Sequence, residues 1–114
     1  MKSTGLSARL YLAQRLSAVI MVPLVLLHLA TIIFAVQGGL SAAEILSRTR
    51  GSITVALLYG LFVLAAAVHG AIGVRVIATE CGLVRGRGAG LLGLAVFALL
   101  AGLGLRAVYA VTVP

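Results

Sequence analysis

A chain of 114 residues that is 62% hydrophobic and only 10% charged is not a water-soluble domain, where about 25% of residues are charged. Its net charge of +7 does not mark a nucleic-acid binder, because the arginines flank apolar runs singly and form no contiguous basic face with aromatics. The single cysteine, Cys81, excludes an internal disulfide and a multi-cysteine metal site, and it reads as a small interfacial residue.

The first apolar stretch runs from about Leu16 to Val36, behind Lys2, Arg9 and Arg15. About 21 apolar residues are long for the h-region of a signal peptide, so an uncleaved span is expected. Ser17, Met21, Leu24, His28 and Thr31 form a stripe at helical spacing, and Pro23 leaves a carbonyl one turn earlier without its usual donor. The connection from Gln37 to Ser52 opens with Gly38-Gly39 and contains Ser41 to Leu46, which suits a short surface helix.

The second stretch, Ile53 to Ile77, carries His69. The next connection, Gly82 to Gly88, is short, so the second and third spans are expected to be antiparallel neighbours. The third stretch, Ala89 to Val111, holds Gly90, Gly93, Gly102 and Gly104. Small residues four apart, as at Ala89/Gly93 and Ala98/Gly102, let helices approach closely. Each stretch meets the roughly 20 residues needed to cross about 30 Å of hydrocarbon. The expected fold is all-α and integral to the membrane, with three transmembrane helices in a single domain over residues 1–114.

Six of the nine basic residues, Lys2, Arg9, Arg15, Arg75, Arg85 and Arg87, fall on one side of such a bundle. The positive-inside rule then places the N-terminus in the cytoplasm and the C-terminus outside, as in a bacterial-type inner membrane. No internal repeat suggests an inverted-repeat transporter. Proton-coupled export has no acidic residue inside a span to use, since Glu44 and Glu80 both lie at boundaries.

His69 is the most informative residue. In hydrocarbon an imidazole finds no water, so ionisable side chains inside spans are functional candidates, and neutral imidazole is an axial ligand for haem iron. Gly73 and Glu80 return to within roughly 40° of His69 on a helix, so that face suits a flat cofactor lying against the backbone. His28 lies roughly 18 Å and His69 roughly 12 Å from the cytoplasmic ends of their spans. Those depths do not favour one haem shared by both, which leaves His28 as a second haem ligand or the partner of a neighbouring helix.

Two blocks carry a family resemblance. His69, Gly73, Arg75 and Glu80 fit a His-x3-Gly-x-Arg-x4-acidic string, and Tyr11 to Ala18 align with Ser-x-x-His-Arg-x-Ser-Gly through Arg15 and Ser17. On these the chain resembles the membrane-anchor cytochrome b subunits of succinate dehydrogenase and fumarate reductase, over nearly its whole length. It departs from them at Tyr11, Gln14 and Ala18, in Glu80 for the usual Asp, in Val76 where the larger anchor has a second histidine, and in Cys81 where the smaller has a quinone-bonding tyrosine.

The resemblance implies a haem b- and quinone-binding anchor of the tricarboxylic acid cycle, passing electrons between an iron–sulfur subunit and membrane quinone. A flavoprotein and a second anchor chain would complete the complex and its haem-binding bundle. His69 would be the haem axial ligand. Arg15 and Arg75 would pair with a haem propionate or polarise a quinone carbonyl, Ser17 and Tyr11 would hydrogen-bond quinone, and Glu80 would relay protons, dock the iron–sulfur subunit or balance local charge. The alternative is a cofactor-free structural or assembly subunit of another respiratory complex, which leaves His69 without a role.

Overall fold

The computed structural model describes residues 7–114; Lys2 lies outside them. Four helices follow one another: α1 (Ala8–Gln37), α2 (Ala42–Thr49), α3 (Ile53–Glu80) and α4 (Arg87–Thr112). Helices α1, α3 and α4 are each long and apolar enough to cross a membrane, while α2 is the surface helix expected after Gly38-Gly39. The bundle is 50 Å long and 22 Å across, so its ends project beyond the roughly 30 Å of hydrocarbon.

Helix α1 begins eight residues before the apolar stretch that starts at Leu16. Ser7 caps it by accepting from the Leu10 N–H, so the segment holding Tyr11, Gln14 and Arg15 is helical and continuous with the span. Pro23 lies within the helix and does not end it. Gly39, with φ +65°, does end it: its N–H donates to Val36 and that of Leu40 to Ala35, the Schellman pattern that needs a left-handed residue. Gly82 repeats this after α3, where its N–H and that of Leu83 bond Thr79 and Ala78. These two stops set the lengths of the first two spans.

Helix α3 is central, with α1 and α4 packed against it. Its buried positions are mostly small, Ala65, Ala67, Ala71 and Ala78 with Ile72, and no large side chain is fully buried among the described residues. Leu, Ile and Val instead dominate the exposed surface, as expected where lipid is as apolar as leucine and close backbone approach drives packing. At Gly104 an added Cβ would lie 2.5 Å from Val63 Cγ1, and at Gly70 2.9 Å from Leu100 Cδ1. The α3–α4 contact is therefore built on missing side chains. Helix α2 is tied to α4, because Thr49 Oγ1 donates to the Val111 carbonyl (2.6 Å) and the Gly51 N–H to that of Thr112 (2.7 Å).

Candidate functional site

Helices α1 and α3 run antiparallel, and two polar contacts mark their register. Ser17 Oγ lies 3.4 Å from His69 Nδ1, and His28 Nδ1 lies 3.3 Å from the Tyr59 hydroxyl. The stripe Ser17, Met21, Leu24, His28 and Thr31 is accordingly the face that α1 turns towards α3.

His69 is half-buried and lines a groove of about 370 Å³ with Ala18, Met21, Val22, Val25 and Leu26. Ser17 is buried, its hydroxyl donating to the Gln14 carbonyl at 2.9 Å. With that proton committed, Ser17 Oγ offers lone pairs to an Nδ1–H. This favours the tautomer whose Nε2 is unprotonated, the form in which imidazole ligates iron.

The donor chemistry therefore fits one axial ligand of a haem: a neutral imidazole held through one nitrogen in an apolar groove. An iron-bound histidine commonly has its second nitrogen oriented by such a hydrogen bond. This chain brings one histidine to the groove. Tyr59 and His69 are ten residues apart on α3, so the His28 and His69 contacts stand about 15 Å apart along the bundle. A single iron cannot take both. His28 instead packs edge-on against Tyr59 (centroids 5.4 Å apart) and tilted against Phe62 (5.7 Å).

Tyr11, Arg15, Ala18, Val22 and Val25 recur at intervals of four and three, so Tyr11 and Arg15 continue the α1 wall of the groove towards the helix start. Arg15 Nη1 donates to the Tyr11 hydroxyl at 3.3 Å, with its guanidinium carbon 5.9 Å from the ring centroid. Both side chains are exposed. The tyrosine thus holds the cation on the α1 face that further along walls the His69 groove.

Arg75 lies elsewhere. Its stem packs on α4, where a Cβ built at Gly93 would meet Arg75 Cδ at 3.6 Å. It shares a recess of about 240 Å³ with Leu10, Ala13, Gly90, Leu94 and Phe97, none of which lines the His69 groove. Six residues separate Arg75 from His69, which turns it about 120° around α3. Position along the chain placed the two arginines together at one boundary, and the structure puts them on different faces.

Gly73, the position read as suiting a flat cofactor, faces α1. Because α1 starts early, the Gln14 side chain reaches that position, and a Cβ there would stand 3.6 Å from Gln14 Nε2. The open surface beside His69 runs instead towards Val22 and Val25. Gln14 Oε1 is buried without a hydrogen-bond partner among the described residues. In the sequence Gln14 is only a departure from a motif, and Tyr59 carries no signal along the chain. The antiparallel register was the missing information. Glu80 and Cys81 are exposed at the end of α3.

Three helices, each long and apolar enough to cross a membrane, define a multi-pass membrane protein. Residues 2–106 match the model of the succinate dehydrogenase/fumarate reductase transmembrane subunit family. The chain belongs to that family, as a membrane anchor of succinate:quinone oxidoreductase, and the family implies association with the other subunits of that complex. No curated protein and no solved structure matches the chain.

Proposed function

We propose that this chain holds one face of a haem b and one side of a quinone site, and so carries electrons between the iron–sulfur subunit and membrane quinone. The observation that carries the reading is the Ser17–His69 pair, an imidazole in contact with a buried hydroxyl and lining an open apolar groove along α1. His69 would hold the haem through a ring nitrogen, and the group, when bound, would supply one-electron redox chemistry. A second anchor chain supplies the other ligand, because His28 is about 15 Å away.

Arg15 lies one turn before Ala18 on the α1 face that walls the groove, and its guanidinium stays charged and offers five donors. It serves either a haem propionate or the quinone oxygen on which negative charge grows during reduction. Tyr11 positions Arg15 and is within reach of the same quinone head. Ser17 acts through His69, since its proton is used on the Gln14 carbonyl. Arg75, on the α4 side, serves a site lying between this chain and its partners at that face, or the packing of α3 on α4. The flavoprotein and iron–sulfur subunits dock on the side of the α1 N-terminus, which the charge distribution places in the cytoplasm.

A reduced-minus-oxidised visible spectrum of the purified membrane complex tests the reading. A b-type signal that His69→Ala removes or shifts is the expected result. An intact complex with no such signal, or one indifferent to His69→Ala, would favour a cofactor-free structural subunit.

A further inference from the structure

At the end of the bundle opposite Arg15, an apolar groove of about 360 Å³ descends between α1, α2 and α3. Ile32, Ala35, Leu40, Ile45 and Val55 form its walls, and Arg48 is its one charged lining residue. The Arg48 guanidinium lies 5.8 Å from the centroid of the Phe34 ring. Glu44, the one carboxylate on α2, is turned to the start of its own helix, where it accepts from the Ser41 N–H at 2.9 Å. Arg48, one turn further along α2, helps to lower the pKa of that carboxyl, but no salt bridge joins the two among the described residues, so the guanidinium keeps a ring beneath it and donors that can meet an anion.

The groove floor makes no comparable demand, since His28 Nδ1 and the Tyr59 hydroxyl face each other at 3.3 Å. His28 stands nine residues before Gln37, so the groove reaches about 14 Å below the end of α1. That is close to half of the roughly 30 Å hydrocarbon thickness. A cation at headgroup level above apolar walls one leaflet deep matches a phosphate joined to an acyl chain. A soluble anion would use only the first feature and a hydrocarbon only the second. The bonds from Thr49 and Gly51 to the end of α4 hold α2, and with it Arg48, in place over the groove.

We propose that this groove binds a phospholipid of the leaflet on the α2 side, its phosphate on Arg48 and one acyl chain between α1 and α3. Arg50, exposed two residues further on, adds a second positive charge and favours an anionic headgroup.

The test uses the assembled complex in phosphatidylcholine nanodiscs containing a minor share of phosphatidylglycerol with a photoreactive group on its acyl chain. Cross-linked residues are read by peptide mass spectrometry. Labelling should concentrate at Ile32, Ala35 and Val55 over the exposed α4 residues Leu99 and Leu103. Arg48→Gln should lower groove labelling about fivefold, the worth of one basic residue at an anionic membrane surface. Ala35→Phe should fill the groove and abolish labelling there, and neither change should alter labelling of α4. Equal labelling of groove and α4, or indifference to Arg48→Gln, would overturn the proposal. So would loss of groove labelling on adding inorganic phosphate, or cross-links from the groove to another subunit in place of lipid.

Discussion

Ser17 and His69 are 52 positions apart in the chain and 3.4 Å apart in the structure, and their contact marks how α1 sits on α3. The serine gives its proton to the Gln14 carbonyl and turns its lone pairs to the imidazole. One buried hydroxyl therefore meets both its own helix and the imidazole of the next.

Two variants separate ligation from orientation. His69→Ala should remove or sharply alter a b-type spectrum in the purified complex. Ser17→Ala keeps the imidazole but removes its acceptor, so the haem should be retained with a shifted midpoint potential or broadened ligand-field bands. Redox titration with low-temperature spectroscopy reads both. Loss of the same haem in His28→Ala would contradict the axial separation of the two histidines.

Arg15 and Arg75 should respond differently. Arg15→Lys keeps the charge but loses the planar fork that Tyr11 supports. One charge-assisted hydrogen bond is worth about 1.5–3 kcal/mol, which is roughly ten- to a hundredfold in rate if it falls wholly on the barrier. Quinone reduction should slow, while succinate oxidation by a soluble acceptor at the flavoprotein stays normal. Arg75→Ala removes a stem packed on Gly93, so its first effect should be a lower melting temperature of the complex.

The small-residue contact between α3 and α4 leads to a stability prediction. Gly104→Ala would set a Cβ 2.5 Å from Val63, and overpacking of this kind costs about 1–3 kcal/mol. Gly102→Ala, with nothing within 4 Å of its added Cβ, should be nearly neutral. Thermal unfolding of the two variants in the same detergent gives the comparison.

Helix α2 should weaken in acid. The Ser41 backbone N–H, followed by the Ser41 hydroxyl, holds the Glu44 carboxyl below its ordinary value of 4.5. Because the folded value is depressed, the capping box contributes fully above the unfolded value and is lost as pH falls through the folded one. Amide exchange across Ala42–Thr49 should therefore speed up as pH drops below about 4.5 once the intrinsic rate change is removed, and Glu44→Gln should flatten that dependence.

Orientation is testable by reporter fusions. The basic residues around the first span and the Arg85–Arg87 turn predict an outside reporter after Val36, an inside reporter near Arg85 and an outside reporter at the C-terminus. A cytoplasmic C-terminus would reverse the charge argument and move the Arg15 end away from the iron–sulfur subunit.

Composition and hydropathy by themselves determined the solvent, the three spans, the antiparallel pairing of the last two and the surface helix after Gly38-Gly39. Apolar length and glycine stops are local quantities, and each can be read without a neighbour. The His69, Arg75 and Glu80 string and the Arg15–Ser17 block were also legible, because they are patterns along the chain. Only the tertiary structure decided which of these residues meet. Helical periodicity fixes a side chain's direction about its own axis, but not which neighbour that face receives. That choice was made by close approach at small residues and by where α1 begins. Its early start brought Gln14 to Gly73, the register joined Ser17 to His69 and His28 to Tyr59, and the bare backbone of Gly93 drew Arg75 to α4, away from the histidine it follows by six residues.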